Sequence, residues 1–151
     1  MLKYLGLLAG LAALPALAQQ APKKPLDHSV YDQWQSAARQ QISPNGQYVL
    51  FQVKPQQGDA TLHLKAAAGQ PLRQVSRGDS ALFSVDSKFA VFAIKPRYQD
   101  VRQAKIKKKK PDQMPKDSLG VYALASGQLT KYGNVKSFQL AEEAPVLAFL
   151  G

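Results

Sequence analysis

The segment ISPNGQYVLFQVKP at residues 42–55 recurs as FSVDSKFAVFAIKP at residues 83–96. The two segments align without a gap, and Ser, Phe, Lys and Pro are identical at four positions. Apolar residues face apolar residues at Ile42/Phe83, Tyr48/Phe89, Leu50/Val91, Phe51/Phe92 and Val53/Ile94. A degenerate third copy runs from Phe138 to Leu150. Self-similarity at a fixed period indicates a repeat architecture.

Each copy predicts a turn that joins an incoming strand to a second strand. In Ser43-Pro44-Asn45-Gly46, proline sets φ at the second position of a turn, and Asn-Gly tolerates positive φ. Asn45 and its counterpart Asp86 are expected to accept hydrogen bonds from backbone N–H groups of their own turns. The following residues, 48–53 and 89–94, are rich in β-branched and aromatic side chains, which favour strands.

Further strands are predicted after these two. In the first unit they cover residues 61–64 and 72–75, and in the second they cover residues 120–124 and 129–132. Units of about 40–45 residues with four short strands are typical of propeller blades. We therefore predict an all-β fold, an incomplete β-propeller over residues 42–151 with about two blades and the start of a third. Its last residues, 146–150, are an apolar strand pattern, so we expect the chain to be an amino-terminal fragment.

The second unit contains a basic insertion at residues 97–117. The eight basic residues of the insertion are Arg97, Arg102, Lys105, Lys107, Lys108, Lys109, Lys110 and Lys116. The acidic residues of the insertion are Asp100, Asp112 and Asp117, so the insertion supplies half of the net charge of +10. We interpret it as a solvated loop at the rim of the propeller. The alternative is a polyanion site for nucleic acid or anionic lipid, centred on the lysines between residues 105 and 110.

The amino terminus has the pattern of a targeting segment. Lys3 precedes an apolar run from Leu5 to Leu14, and Ala16-Leu17-Ala18 supplies the small residues of a cleavage site. We predict a signal peptide at residues 1–18, cleaved after Ala18, and a periplasmic or secreted protein. A membrane anchor is the alternative, but the run is shorter than the roughly 20 residues that span a bilayer.

Two short segments separate this signal from the repeats. Residues 19–25 (QQAPKKP) are polar and contain proline, which predicts a linker. Residues 26–41 are predicted to be helical or extended, with a short helix favoured because Val30, Trp34 and Ala37 recur at helical spacing. Trp34 is expected to pack on the body of the fold rather than to bind a ligand.

Composition limits the possible chemistry. The chain is 45% hydrophobic and 20% charged, which is a globular balance. It has no cysteine, which excludes disulfides and thiolate sites, and only two histidines, His28 and His63. His63 lies on an alternating strand and is interpreted as an ordinary strand residue. The spacing of the aspartates, Asp79, Asp86, Asp112 and Asp117, matches no calcium loop. No metal site, cofactor or catalytic residue is predicted.

The signal followed by Ser-Pro-Asn-Gly-Gln-Tyr-Val-Leu-Phe resembles the start of a propeller in the prolyl oligopeptidase family of serine peptidases. Residues 26–34 (LDHSVYDQW) and 97–120 (RYQDVRQAKIKKKKPDQMPKDSLG) also resemble the amino-terminal region of large secreted, dipeptidyl peptidase-like members. The resemblance covers essentially the whole chain after the signal. The long basic insertion is more specific than the Ser-Pro-Asn-Gly element, which other propellers share.

The resemblance implies a carboxy-terminal α/β-hydrolase domain that this sequence does not contain. That domain carries Ser in a Gly-x-Ser-x-Gly elbow, then Asp, then His. The nearest segment, residues 78–82 (GDSAL), lacks the second glycine, so no catalytic residue is carried over. The expected partners are that hydrolase domain and the enzyme's peptide substrates. No nucleic-acid partner is expected, and contact with a membrane is expected only through the signal peptide. The alternative function is a non-enzymatic, TolB-like periplasmic propeller that binds a protein.

Overall fold

A computed structural model describes residues 34–151, which form three antiparallel sheets. The predicted signal peptide, the linker and residues 26–33 lie outside the described residues. The first sheet contains β1 (Gln35–Ile42), β2 (Tyr48–Pro55), β3 (Thr61–Ala66) and β4 (Pro71–Ser76). The second contains β5 (Gly78–Phe83), β6 (Phe89–Ile94), β7 (Asp117–Ala123) and β8 (Leu129–Val135). The third contains β9 (Ser137–Leu140) and β10 (Leu147–Leu150).

In all three sheets each strand pairs with its neighbour in the sequence. The first sheet has the order β1-β2-β3-β4, and the second repeats it as β5-β6-β7-β8. The strands predicted after each turn are therefore confirmed, and so is the all-β fold class. The described residues do not include a closed ring of sheets, so the propeller itself stays a prediction.

The main core lies between the first two sheets. Alternate residues of β2 and β3 point towards the second sheet, and Leu50, Leu62 and Leu64 are at most 4% exposed. Phe92 of β6 is 2% exposed and belongs to the same cluster. Burying a side chain of this size stabilises a fold by about 1.5–3 kcal/mol. The two sheets are thus held together by side chains that neither sheet could bury alone.

Two glycines permit close packing in this core. A Cβ atom at Gly78 would lie 2.5 Å from Cβ of Leu62 in the first sheet. A Cβ atom at Gly120 would clash with the ring of Phe92, its partner across β6 and β7. Larger residues at these positions would separate the packed surfaces.

A smaller cluster connects the second sheet to the third. Val91, Leu119 and Val135 are buried there, and Phe138, Leu140 and Leu147 pack against them half-buried. The third copy of the repeat is therefore present as a hairpin on the far side of the second sheet.

The structure of residues 35–41 contradicts one prediction. The short helix favoured by the spacing of Trp34 and Ala37 is wrong from Gln35 onward, because β1 pairs with β2 over that stretch. The backbone of Trp34 also joins this pairing, since its carbonyl accepts a 3.1 Å hydrogen bond from the N–H of Gln56. The Trp34 residue is nevertheless 56% exposed, so its packing on the body is partial.

The basic insertion is also more ordered than predicted. It contains the helix α1 (Tyr98–Ile106) and a 3₁₀ turn (Pro111–Gln113) rather than a loop alone. Ala104 of α1 is 3% exposed, so the helix packs on the sheets through one side. The interpretation as a solvated loop is therefore wrong for α1, although the lysines that follow it are exposed.

Candidate functional site

The turns at the start of each repeat are built as the sequence predicts. Oδ1 of Asn45 accepts hydrogen bonds from Oγ of Ser43 (2.7 Å) and from N of Gln47 (3.1 Å). Oδ1 of Asp86 accepts the equivalent bonds from Oγ of Ser84 (2.6 Å) and from N of Lys88 (3.1 Å). The predicted role of Asn45 and Asp86 is confirmed.

Neighbouring groups lower the pKa of the carboxylate in the second turn. The hydrogen bond from Ser84 lowers the pKa of Asp86 below its ordinary value of 3.8, and the N–H and ammonium of Lys88 act in the same direction. Asp86 is therefore ionised at neutral pH and serves the turn as a charged acceptor.

The first strand of each four-stranded sheet is interrupted by one bulge. Arg39 in β1 has φ of 54°, and Ser80 in β5 has φ of 51°. The strand register shifts between Ala38 and Gln41 and between Asp79 and Leu82. Bulges redirect side chains, and here they bring Arg39 and Ser80 together: Nη1 of Arg39 donates a 3.0 Å hydrogen bond to Oγ of Ser80.

Asp79 joins the two bulges into a polar network. Its Oδ1 lies 3.4 Å from Nε of Arg39 and accepts hydrogen bonds from N of Ser80 (2.7 Å) and Nε2 of Gln52 (3.3 Å). Gln52 is 5% exposed and also donates a 3.0 Å hydrogen bond to the carbonyl of Gly78. The network crosses from the first sheet to the second and fixes the position of their first strands.

The first strands of the three sheets surround a cavity of about 510 Å³. Its wall includes residues from β1, β5 and β9 together with the Lys95–Asp117 ion pair, in which Nζ and Oδ2 are 2.6 Å apart. Lys136 also lines the cavity. Peptide-sized ligands would meet cations, hydroxyl groups and backbone edges in this cavity, which suits binding through hydrogen bonds.

The hydroxyl group in the cavity wall is placed to take part in hydrogen bonds. The hydroxyl group of Ser80 faces the guanidinium of Arg39, which cannot act as a base. Among residues 34–151 the single histidine, His63, does not line the wall. Across residues 34–151, no group of three His, Asp or Glu side chains comes together as a metal-binding cluster.

A second cavity of about 510 Å³ lies where α1 meets both four-stranded sheets. Tyr98 and Val101 of α1 line it, together with Asp59, Arg77 and Lys95. Oδ1 of Asp59 accepts a 2.8 Å hydrogen bond from N of Tyr98, so the first sheet holds the beginning of a helix inserted in the second. The insertion thus belongs to the junction of the two sheets.

The remaining residues considered from the sequence are not gathered in one site. His63 lies on β3, where its ring stacks on Phe51 with ring centroids 5.0 Å apart, which agrees with an ordinary strand residue. Partial burial, and secondly the charge of Lys65, lowers the pKa of His63 below 6.5. Asp117 pairs with Lys95, whereas Asp112 is exposed in the 3₁₀ turn. His28 lies outside the described residues.

Sequence reasoning did not find Arg39, Gln52 or Lys136. Arg39 and Ser80 stand at equivalent places in the repeat, so extending the alignment upstream of Ile42 would have paired them. The positive φ of Arg39 has no sequence signal, because arginine rarely adopts that conformation.

No family model matches the sequence, and no curated protein matches it significantly. No helix among residues 34–151 is both long and apolar enough to cross a membrane.

Proposed function

We propose that the chain is the amino-terminal part of a substrate-gating propeller in a secreted serine peptidase resembling the prolyl oligopeptidase family. The observation that carries the proposal is the repeated four-stranded antiparallel sheet, whose first strands lie side by side around a polar cavity. In a propeller, sheets are arranged radially around a central channel. The cavity would then be part of that channel.

The proposed task of these residues is selection rather than chemistry. Peptides would have to pass the wall formed by Arg39, Lys136 and the Lys95–Asp117 pair to reach a catalytic domain. A passage of limited width would admit short or unfolded peptides and exclude folded proteins. The catalytic Ser, Asp and His would belong to an α/β-hydrolase domain outside residues 1–151, and the chain by itself would not be catalytic.

The test starts with the gene beyond codon 151. We expect further repeats and then a hydrolase domain with a Gly-x-Ser-x-Gly elbow. The product of the complete gene should react with a fluorophosphonate probe and cleave proline- or alanine-containing peptides. The 151-residue chain should do neither above background.

A different gene structure would reject the peptidase. Further repeats followed directly by a stop codon would support the non-enzymatic, TolB-like propeller instead. The mature amino terminus of the exported protein should be Gln19, and an unprocessed terminus would contradict the proposed signal peptide.

A further inference from the structure

Arg102, Lys105 and Lys107–Lys110 form an exposed basic surface, which we call the basic ridge. All six side chains are exposed. The three ion pairs found within residues 34–151 involve Arg39, Lys88 and Lys95, so none of them includes a side chain of the ridge. The concentration of positive charge is therefore available to an anionic partner.

The exposed face of α1 combines cations with an apolar side chain. At 3.6 residues per turn, Arg102, Lys105 and Ile106 fall within an arc of about 100°. The buried Ala104 points the opposite way. Ile106 is 61% exposed, although its side chain would be favoured in an apolar environment.

The ridge is held in a fixed arrangement. The first sheet anchors the start of α1 through the hydrogen bond from N of Tyr98 to Asp59. After the helix, N of Lys108 donates to O of Lys105 (2.9 Å), and N of Lys109 donates to O of Ala104 (3.0 Å). The lysine run is thus folded against the last turn of α1, so little ordering is needed when a partner binds.

We infer that the basic ridge is a docking surface for an anionic lipid bilayer. Clustered lysines near a membrane are attracted to its anionic headgroups. Ile106 on the same face would enter the interfacial region, where an apolar side chain is stabilised. This inference does not depend on the proposed peptidase function.

The same features disfavour other polyanions. Nucleic-acid sites combine cations with aromatic platforms on which bases stack, and no aromatic residue lies within the lysine run. An acidic polysaccharide would use the lysines but would gain nothing from the exposed Ile106. The partner that uses both kinds of group is a lipid surface.

The test is co-sedimentation of the 151-residue chain with vesicles. Vesicles of equal parts phosphatidylglycerol and phosphatidylcholine should bind the chain, and vesicles of phosphatidylcholine alone should bind it far less. Changing Lys107, Lys108, Lys109 and Lys110 together to Gln should weaken binding to the anionic vesicles by about 1,000-fold, which corresponds to about 1 kcal/mol for each lysine. Raising the salt from about 0.1 to 0.5 M should weaken binding of the unmodified chain as well.

A matched control removes the same charge elsewhere. Changing Lys54, Arg73, Lys131 and Lys136 to Gln, all exposed and outside the ridge, should leave most of the binding intact. Equal losses in the two fourfold variants would show attraction by net charge alone and overturn the inference. Circular dichroism of both variants would show whether the sheets remain.

A third variant separates a bilayer from a soluble polyanion. Ile106→Ser should weaken vesicle binding several-fold and leave binding to heparin unchanged. Vesicle binding that is insensitive to Ile106→Ser would reject the bilayer in favour of a polyanionic polymer. Binding that survives the loss of all four lysines would place the lipid contact in another segment, such as the apolar run from Leu5 to Leu14.

Discussion

Asn45 and Asp86 perform the same structural task with different charge. Each accepts a hydroxyl and a backbone N–H within its own turn. The turns are also linked to each other, because N of Asn45 donates a 3.1 Å hydrogen bond to Oγ of Ser87. Only the second turn contains a titratable acceptor, so acid would loosen it first.

His63 gives a prediction for pH dependence. Its pKa is below 6.5 in the folded chain, so the unfolded chain binds the proton more readily. Stability should therefore be highest above about pH 6.5 and should fall as the pH drops through the lower folded value. We expect the urea midpoint of the unmodified chain to decrease between about pH 7.5 and pH 5.5.

His63→Phe provides the control. The substitution keeps an aromatic ring against Phe51 and removes the titrating group. The midpoint of this variant should change less over the same pH interval. An identical change in both proteins would show that His63 does not contribute.

At the scale of the elements, the pairing of β6 with β7 depends on Gly120, which has no side chain. Phe92 and Gly120 are directly opposite, and the Phe92 ring occupies the space that a Cβ atom at Gly120 would need. Gly120→Ala should therefore lower the free energy of unfolding by about 1–3 kcal/mol through overpacking. Urea unfolding followed by circular dichroism measures this change.

Gly133→Ala in β8 is the matched control, since nothing lies within 4 Å of its Cβ position. It should change stability far less than Gly120→Ala. Adding Phe92→Leu to Gly120→Ala should recover part of the loss, because the smaller side chain leaves room for the methyl group. No recovery would contradict the steric explanation.

The strands that follow each turn could be predicted because local signals and tertiary structure agree. In β2 and β6, β-branched and aromatic residues follow turn residues directly. β1 was missed in part because Trp34 and Ala37 are spaced as on a helix, while its conformation is determined by hydrogen bonds to β2. Tertiary pairing can override local propensity in this way.

The helix α1 and the polar network were not predicted, for a related reason. The insertion has few apolar residues and no strong helical pattern, and a carboxylate from another sheet holds the start of α1. Arg39, Gln52 and Asp79 meet only because two bulges and two sheets come together. Sequence spacing cannot show such contacts, whereas the repeat itself correctly indicated the two four-stranded sheets.

At the scale of the whole molecule, the two large sheets approach each other closely at Gly78. A methyl group there would lie 2.5 Å from Cβ and 3.1 Å from Cδ2 of Leu62. Gly78→Ala should therefore push the sheets apart and lower the free energy of unfolding by about 1–3 kcal/mol. The measurement is urea unfolding monitored by the fluorescence of Trp34 and by circular dichroism.

A double-mutant cycle with Leu62→Gly tests the steric cause, because only glycine lacks the Cβ atom that would lie 2.5 Å from the new methyl group. If the two side chains collide, the loss in the double variant should be smaller than the sum of the two single losses. Strict additivity would mean that Gly78→Ala acts through the backbone of β5 and not through the sheet contact.

Within each sheet, every strand after the first pairs with the strand made just before it, which has consequences for biosynthesis. All pairing partners of β1 to β4 are available once residue 76 has left the ribosome, and no later segment is needed to complete their hydrogen bonds. Pairing between strands that are close in the sequence favours rapid formation of each sheet. The growing polypeptide can therefore assemble stepwise from its amino terminus, each new sheet adding to an existing apolar template.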